Sequence, residues 1–323
     1  MDIYAPWHGV RGLPRHRIGR DQFHYKWSRQ HKPAAYVRPG DRVLFEVNEV
    51  TSWQVTRTST AEALTSLSAE KFYPLAGPVY VEGARPGDVL VVEVLRVSCA
   101  EWGWSGIIPG FGLLEEFKAP YLYIWDLGEG RYARFVKGIR VPLAPFCGVM
   151  GVAPKEEGYF EVMPPGLHGG NMDIRHLTRG STLYLPVLVE GALFSLGDVH
   201  AAQGDGEVCV TAIECPGEAE VRLDVLKGAG IRAPSFRARF RQARGALYTT
   251  AGIGPDLMEA AKQAVRAMIQ ELIERLGLSA EEAYVLCSVA GDLRIHEVVD
   301  RPNWVVGFSL PERLLIRRPL ERS

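Results

Sequence analysis

Two near copies of one ten-residue phrase, RPGDRVLFEV (38–47) and RPGDVLVVEV (85–94), most narrow what this chain can become. In each, Pro and Gly supply turn dihedrals and a β-branched run of strand length follows. Two related strand units in one sheet-rich body is one reading; chance recurrence of a common turn in a β protein is the other. In both readings the phrases are scaffold. The strand pattern continues in TLYLPVLVEGALFSLGDVH (182–200), two apolar runs joined at Glu190-Gly191, and in ECPGEAEVRLDVLKG (214–228). WGWSGIIPGFGLLEEF (102–117), rich in glycine and aromatics, reads as a long loop.

The period changes after Pro255. Leu257, Ala261, Ala264, Val265, Met268, Leu272 and Leu276 recur at helical spacing, and Gly277 supplies a stop. Ser279 and Glu282 have the spacing of a capping box at the head of a second helix. LRIHEVVD (293–300) then returns as a strand. The expected fold is mainly β, a sandwich or barrel-like core over 1–240. An αα hairpin with returning strands over 241–323 packs on that core as part of the same unit.

Composition excludes several classes. Across 323 residues, 37 Lys and Arg face 38 Asp and Glu, and no basic run invites nucleic acid. No 18-residue apolar stretch suggests a membrane span, and the first twenty residues lack the apolar region of a signal peptide. The five cysteines are scattered without CxxC spacing, which argues against a disulfide framework or a structural zinc finger. A reducing, cytoplasmic setting is the expectation.

FSLGDVHAAQGDGEVCVTAIE (194–214) breaks the pattern by placing Asp198, His200, Asp205, Glu207 and Glu214 among apolar residues. Isolated buried charges cost several kcal/mol unless paired, hydrogen-bonded or metal-bound. Residues i and i+2 of a strand share a face, so Asp198 and His200 point the same way. GLHGGNMDIRHL (166–177) offers His168, then Asn171 and Asp173 after a Gly-Gly bend. Carboxylates and imidazole on glycine bends suit a divalent ion, although a single D-x-H pair is more often a buried hydrogen bond than a metal site. His24 and His176 read as structural or surface residues. No G-x-S-x-G elbow is present. Cys209 and Cys215 read as small hydrophobes rather than nucleophiles.

At these residues the chain resembles the acetamidase/formamidase family. The resemblance rests on HGGNMDIRHLTRGSTLYLPVLVEGALFSLGDVHAAQGDGEVCVTAIE (168–214) and extends to PLAPFCGVMGVAP (142–154), PGFGLLEEF (109–117) and EEAYVLCSVAGDLRIHEVVD (281–300). TSWQVTRTST (51–60) departs from the family pattern. The resemblance implies hydrolysis of a small linear amide to ammonia and a carboxylate, a β-rich fold, and a homo-oligomer of two or more copies. The family motif falls on Asn171, Asp173, Asp198, His200, Gln203, Asp205 and Glu207. The expected roles follow from amide chemistry. Asp173, Asp198 and His200 hold a divalent metal, zinc in preference to calcium. Glu207 is the general base, and Asn171 and Gln203 hold the amide or its oxyanion. His168, Asp205 and Glu214 stand behind them. The rival reading is a non-catalytic amide- or metal-binding protein on the same scaffold.

Overall fold

The computed structural model of the chain describes residues 16–238 and 246–316. Both Pro-Gly-Asp phrases fold alike. The Asp41 and Asp88 carboxylates accept hydrogen bonds from the backbone N–H of Arg38 (3.0 Å) and Arg85 (2.9 Å). Gly40 and Gly87 take φ of 92° and 94°, a region glycine enters without steric penalty. The strands they feed, Arg42–Val47 and Val89–Cys99, run antiparallel on either side of Gly217–Leu226. His16–Ile18 extends this sheet beyond Arg42–Val47, while Thr182–Pro186 and Ser235–Arg237 extend it on the other side, giving six strands.

The second sheet has nine strands and carries the polar residues. At its centre, Phe194–His200 pairs along one edge with Phe146–Gly151, which in turn holds Gly169–Asn171. Its other edge is divided. Phe194 and Leu196 pair with Leu75–Val81, whereas Val199 and His200 pair with Glu214–Cys215. The sheet continues through Trp102–Ile107 to Tyr121–Asp126. The two sheets share an apolar core, in which Phe45 of one meets Phe194 of the other edge-on at 6.0 Å. The architecture is a packed pair of open sheets; among the described residues neither closes into a barrel.

The expected loop over 102–117 is a strand in its first six residues. Gly103 and Gly106 are there for packing: an added Cβ would lie 2.6 Å from the Glu214 carbonyl oxygen and 2.8 Å from that of Tyr121. Neighbouring backbone passes too close for a side chain, so glycine here marks a tight strand rather than a bend. Residues 108–117 are irregular.

The C-terminal part is a three-stranded sheet, Leu247–Gly254, Trp304–Pro311 and Asp292–Glu297, with Trp304–Pro311 in the middle. Helix α1, Leu257–Leu276, lies on it, capped by the Asp256 carboxylate at one end and by Gly277 with φ 66° at the other. The expected stripe is buried except for Leu257, which sits at the first turn and is 37% exposed. Helix α2, Ala280–Ala290, has the capping box between Ser279 and Glu282, and Ala283 to Val289 are all buried. No helix among the described residues is long and apolar enough to cross a membrane. The expected boundary at 240/241 lies outside the described residues.

Candidate active site

The divided edge of Phe194–His200 is where chemistry gathers. Asp198 sits at the change of partner with φ 57°, and its Oδ1 lies 3.2 Å from His200 Nε2. Glu214 faces His200 across the sheet, with Oε2 3.0 Å from the same nitrogen. The other Glu214 oxygen accepts from the Ala212 N–H at 2.8 Å, which fixes the carboxylate. On the far side of the ring, Gln203 Oε1 is 2.9 Å from Nδ1, while Gln203 Nε2 donates to the Asp173 carbonyl at 2.8 Å. With the amide oriented by that second bond, Nδ1 carries the proton in neutral His200 and Nε2 presents a lone pair to two carboxylates.

Gly148 forms the floor. A Cβ there would lie 2.5 Å from Asp173 Oδ1, 2.8 Å from His200 Cε1 and 3.0 Å from Asp198 Oδ2. Its carbonyl accepts from the Met172 and Asp173 N–H groups, each at 3.2 Å, and so brings the Gly-Gly bend to the imidazole. Asp173 takes φ 48° and Glu207 φ 41°. Together with Asp198, three acidic residues at one site occupy the left-handed region, a cost commonly retained where function needs the geometry.

Electrostatics follow from enclosure. Burial and the Asp198 charge push Asp173 up to about 7, against the pull of His200. Burial pushes Glu214 up to about 8, with Asp198 adding to it and His200 opposing. Glu207 is half-buried as a residue, but its carboxyl is enclosed. Burial and then Asp173 hold it well above the usual carboxylate range. Burial disfavours a charged His200, yet Glu214 and Asp198 prevail and raise its pKa well above the ordinary value.

Asp173 Oδ1, Asp198 Oδ1, His200 Nε2 and Glu214 Oε2 are all buried without a well-aligned hydrogen bond, in spite of their close approaches. Such atoms ask for a cation. Two overlapping trios have ligand atoms within 4.8 Å of one another: Asp173, Asp198 and His200, and His200, Glu207 and Glu214. The 3.0 and 3.2 Å separations about His200 Nε2 are near the spacing of about 3.3 Å between ligands in a tetrahedral shell with bonds of about 2.0 Å. The donor set therefore fits a divalent ion.

The remaining expected residues divide. Asn171 donates to the Met163 carbonyl at 3.3 Å, and its Oδ1 is buried without a partner among the described residues. His168 packs edge-on against Trp27 at 5.2 Å, beside Gly170 rather than against His200. Asp205 turns away toward Arg175, at 3.2 Å. His24 accepts or donates at Ser195 Oγ, 2.8 Å away, inside the sheet. His176 approaches Asp205 at 3.8 Å. Cys209 and Cys215 are buried, and burial pushes both thiols up. Thiols so placed stay protonated and are poor nucleophiles.

One residue that sequence reasoning did not single out is Tyr73. It lies two residues before Leu75–Val81, at the break in the strand edge, with φ 58° and its N–H held by the Val50 carbonyl at 2.8 Å. Burial raises the phenol pKa, and so do the charges of Asp198, Asp173, Glu207 and Glu214.

The acetamidase/formamidase family profile matches residues 15–159 and 156–316. The chain is similar to the acetamidase of Mycolicibacterium smegmatis, 30% identical over 268 residues that cover 64% of this chain and 66% of that protein. It is 27% identical to the formamidase of Methylophilus methylotrophus, covering 91% of this chain and 89% of that one. Among solved structures, a gamma lactamase from Delftia acidovorans superposes with a TM-score of 0.86 at 27% identity, covering 93% and 91% of the two chains. An acetamidase from Bacillus halodurans superposes with a TM-score of 0.66 at 35% identity, covering 91% and 96%.

Proposed function

The chain belongs to the acetamidase/formamidase family, and from that premise we propose that it hydrolyses the C–N bond of a small amide at the His200 cluster. The observation that carries this reading is the set of orphaned buried carboxylate and imidazole atoms, set beside an enclosed carboxyl, Glu207, of raised pKa. Asp173, Asp198 and His200 would hold a divalent ion, with Glu214 against the same imidazole nitrogen. Imidazole with carboxylates favours zinc, whereas calcium takes an all-oxygen shell. When bound, such an ion polarises the carbonyl and lowers the pKa of water.

The chain's own groups do the rest. Glu207 takes a proton from the attacking water and delivers it to the amide nitrogen, which leaves as ammonia. Burial raises the Glu207 pKa, which makes its carboxylate a stronger base toward water than an exposed one. Asn171 Oδ1, an acceptor without a donor, takes an N–H of the substrate amide. Gln203 is a positioning residue: both ends of its amide are engaged, so it orients His200 and Asp173 rather than the substrate. Asp205 supports the loop through Arg175.

Ammonia release from acetamide and formamide, with and without prior chelation, tests the reading. Tight amide binding without ammonia would favour the non-catalytic alternative. A second substrate class has its own support: the larger fold overlap is with a gamma lactamase, at TM-score 0.86 against 0.66 for the acetamidase. Ring opening of a γ-lactam, followed by appearance of a primary amine, tests it. We further infer a cytoplasmic homo-oligomer of two or more copies. Five free cysteines support the compartment, and Ile253, Met258, Ile295 and Val299, exposed on the C-terminal part, support association.

A further inference from the structure

Tyr73 owes its place to the divided strand edge. The pairing of Leu196 with Ala76 runs antiparallel, so the chain before Leu75 passes beside Gly197 and Asp198. The Pro74 carbonyl and Leu75 Cα would lie 3.3 and 3.4 Å from a Cβ on Gly197, which confirms that approach. Beyond this point the edge belongs to Glu214–Cys215, so Tyr73 stands between the two partners of one strand. Its ring is packed on two apolar clusters, one around Trp27, Leu75 and Val149 and the other around Val50, Leu64 and Trp104. That packing, with the held N–H and a left-handed φ, holds the residue in place beside Asp198.

The hydroxyl feels the charges of four carboxylates, and no side-chain hydrogen bond ties it to any group among the described residues. An O–H donor without a protein acceptor therefore stands within electrostatic reach of the acids. We propose that the Tyr73 hydroxyl donates a hydrogen bond to the carbonyl oxygen of the substrate amide and to the oxyanion that it becomes. The assignment rests on the amide-hydrolysis reading. As the water oxygen bonds to the carbonyl carbon and its proton passes to Glu207, the C=O electron pair moves onto oxygen. Tyr73 keeps its proton and strengthens its bond to that oxygen; the pair returns when the C–N bond breaks. Burial, with the carboxylate charges adding to it, keeps the phenol protonated, so it remains a donor.

Tyr73→Phe removes one atom and keeps the packing. Loss of a single oxyanion donor typically costs about 10²–10³-fold in kcat. The expected result is a fall of that size on acetamide, with KM within about threefold, and with melting temperature and bound divalent ion unchanged. Thioacetamide separates a chemical role from damage, because sulfur is a weaker hydrogen-bond acceptor than oxygen. The variant should lose clearly less on thioacetamide than on acetamide. Equal losses on both substrates, or acetamide activity within about threefold of wild type, would overturn the assignment while leaving amide hydrolysis standing. A wild-type protein inactive on every amide would overturn both.

Discussion

Glu207 and Glu214 are both enclosed carboxyls of raised pKa, and only their anchoring tells them apart. Glu214 spends one oxygen on the Ala212 N–H and aims the other at His200. Among the described residues Glu207 makes no such side-chain bond, and it stands on a left-handed backbone after Gly206. A general base must be free to exchange a proton, so Glu207→Gln should leave the fold intact and lower kcat about 10²–10⁴-fold. A drop of that size for Glu214→Gln, with Glu207→Gln near wild type, would reverse the two roles. The same carboxyls govern stability in protein stripped of divalent ions. Folded Asp173 and Glu214 titrate near 7 and 8, above an ordinary unfolded carboxyl at about 4. The native state then binds more protons than the unfolded one, so stability is full below about pH 4 and declines as pH rises through 7 and 8. His200, also raised, acts in the same direction. The melting temperature of chelated protein should fall between pH 5 and 8, and zinc should flatten the slope. A chelated protein that becomes more stable over that range would contradict the charge assignments.

Elements explain which of these residues could be read from sequence. Asp198, His200, Glu207 and Glu214 were legible because all lie in one stretch whose polarity conflicts with its apolar neighbours. Asp173 was legible through the Gly-Gly bend, although what brings it to His200 is the Gly148 carbonyl on a different strand. Tyr73 was not legible, since KFYPL carries no local signature and its position depends on a pairing register 120 residues distant, Leu196 with Ala76. The Trp102–Ile107 strand was hidden for a related reason: its glycines answer to backbone of Glu214 and Tyr121 that pattern reading cannot see. Gly148 is the sharpest case of an element shaping the site. On strand Phe146–Gly151 its neighbours are buried and apolar, so an alanine would be unremarkable by composition. Its Cβ would enter the space between Asp173 and His200. Gly148→Ala should therefore abolish most activity and weaken zinc retention, measured by elemental analysis after dialysis, while circular dichroism shows the strands in place. Normal zinc content and turnover would remove Gly148 from the site.

The whole molecule joins its C-terminal part to the loop that carries Glu207. Gly204 N–H donates to the Ser288 carbonyl at 2.8 Å, and Ser288 Oγ donates to the Thr211 carbonyl at 2.7 Å while accepting from Cys209 N–H at 3.2 Å. At the end of α2, Gly291 comes so close to Gly204 that a Cβ there would lie 1.7 Å from the Gly291 oxygen. Tyr284, fully buried, accepts from the Leu114 N–H at 2.8 Å and donates to the Val208 carbonyl. These contacts bracket residues 204–211 with groups from α2, and stripping them would leave buried backbone donors and acceptors unpaired, at about 1–3 kcal/mol each. We propose on this ground that the part beyond residue 240 has no stability of its own. Calorimetry of the intact chain should then show one transition, with the calorimetric enthalpy equal to the van't Hoff value. The melting temperature of Ser288→Ala should fall while the transition stays single, because the damage spreads to both parts. Activity should fall in the same variant, since Glu207 would lose the frame that holds it at the pocket. Two resolved transitions, with only the weaker one moved by Ser288→Ala and turnover unchanged, would make the C-terminal part an independent domain and the Glu207 loop self-supporting.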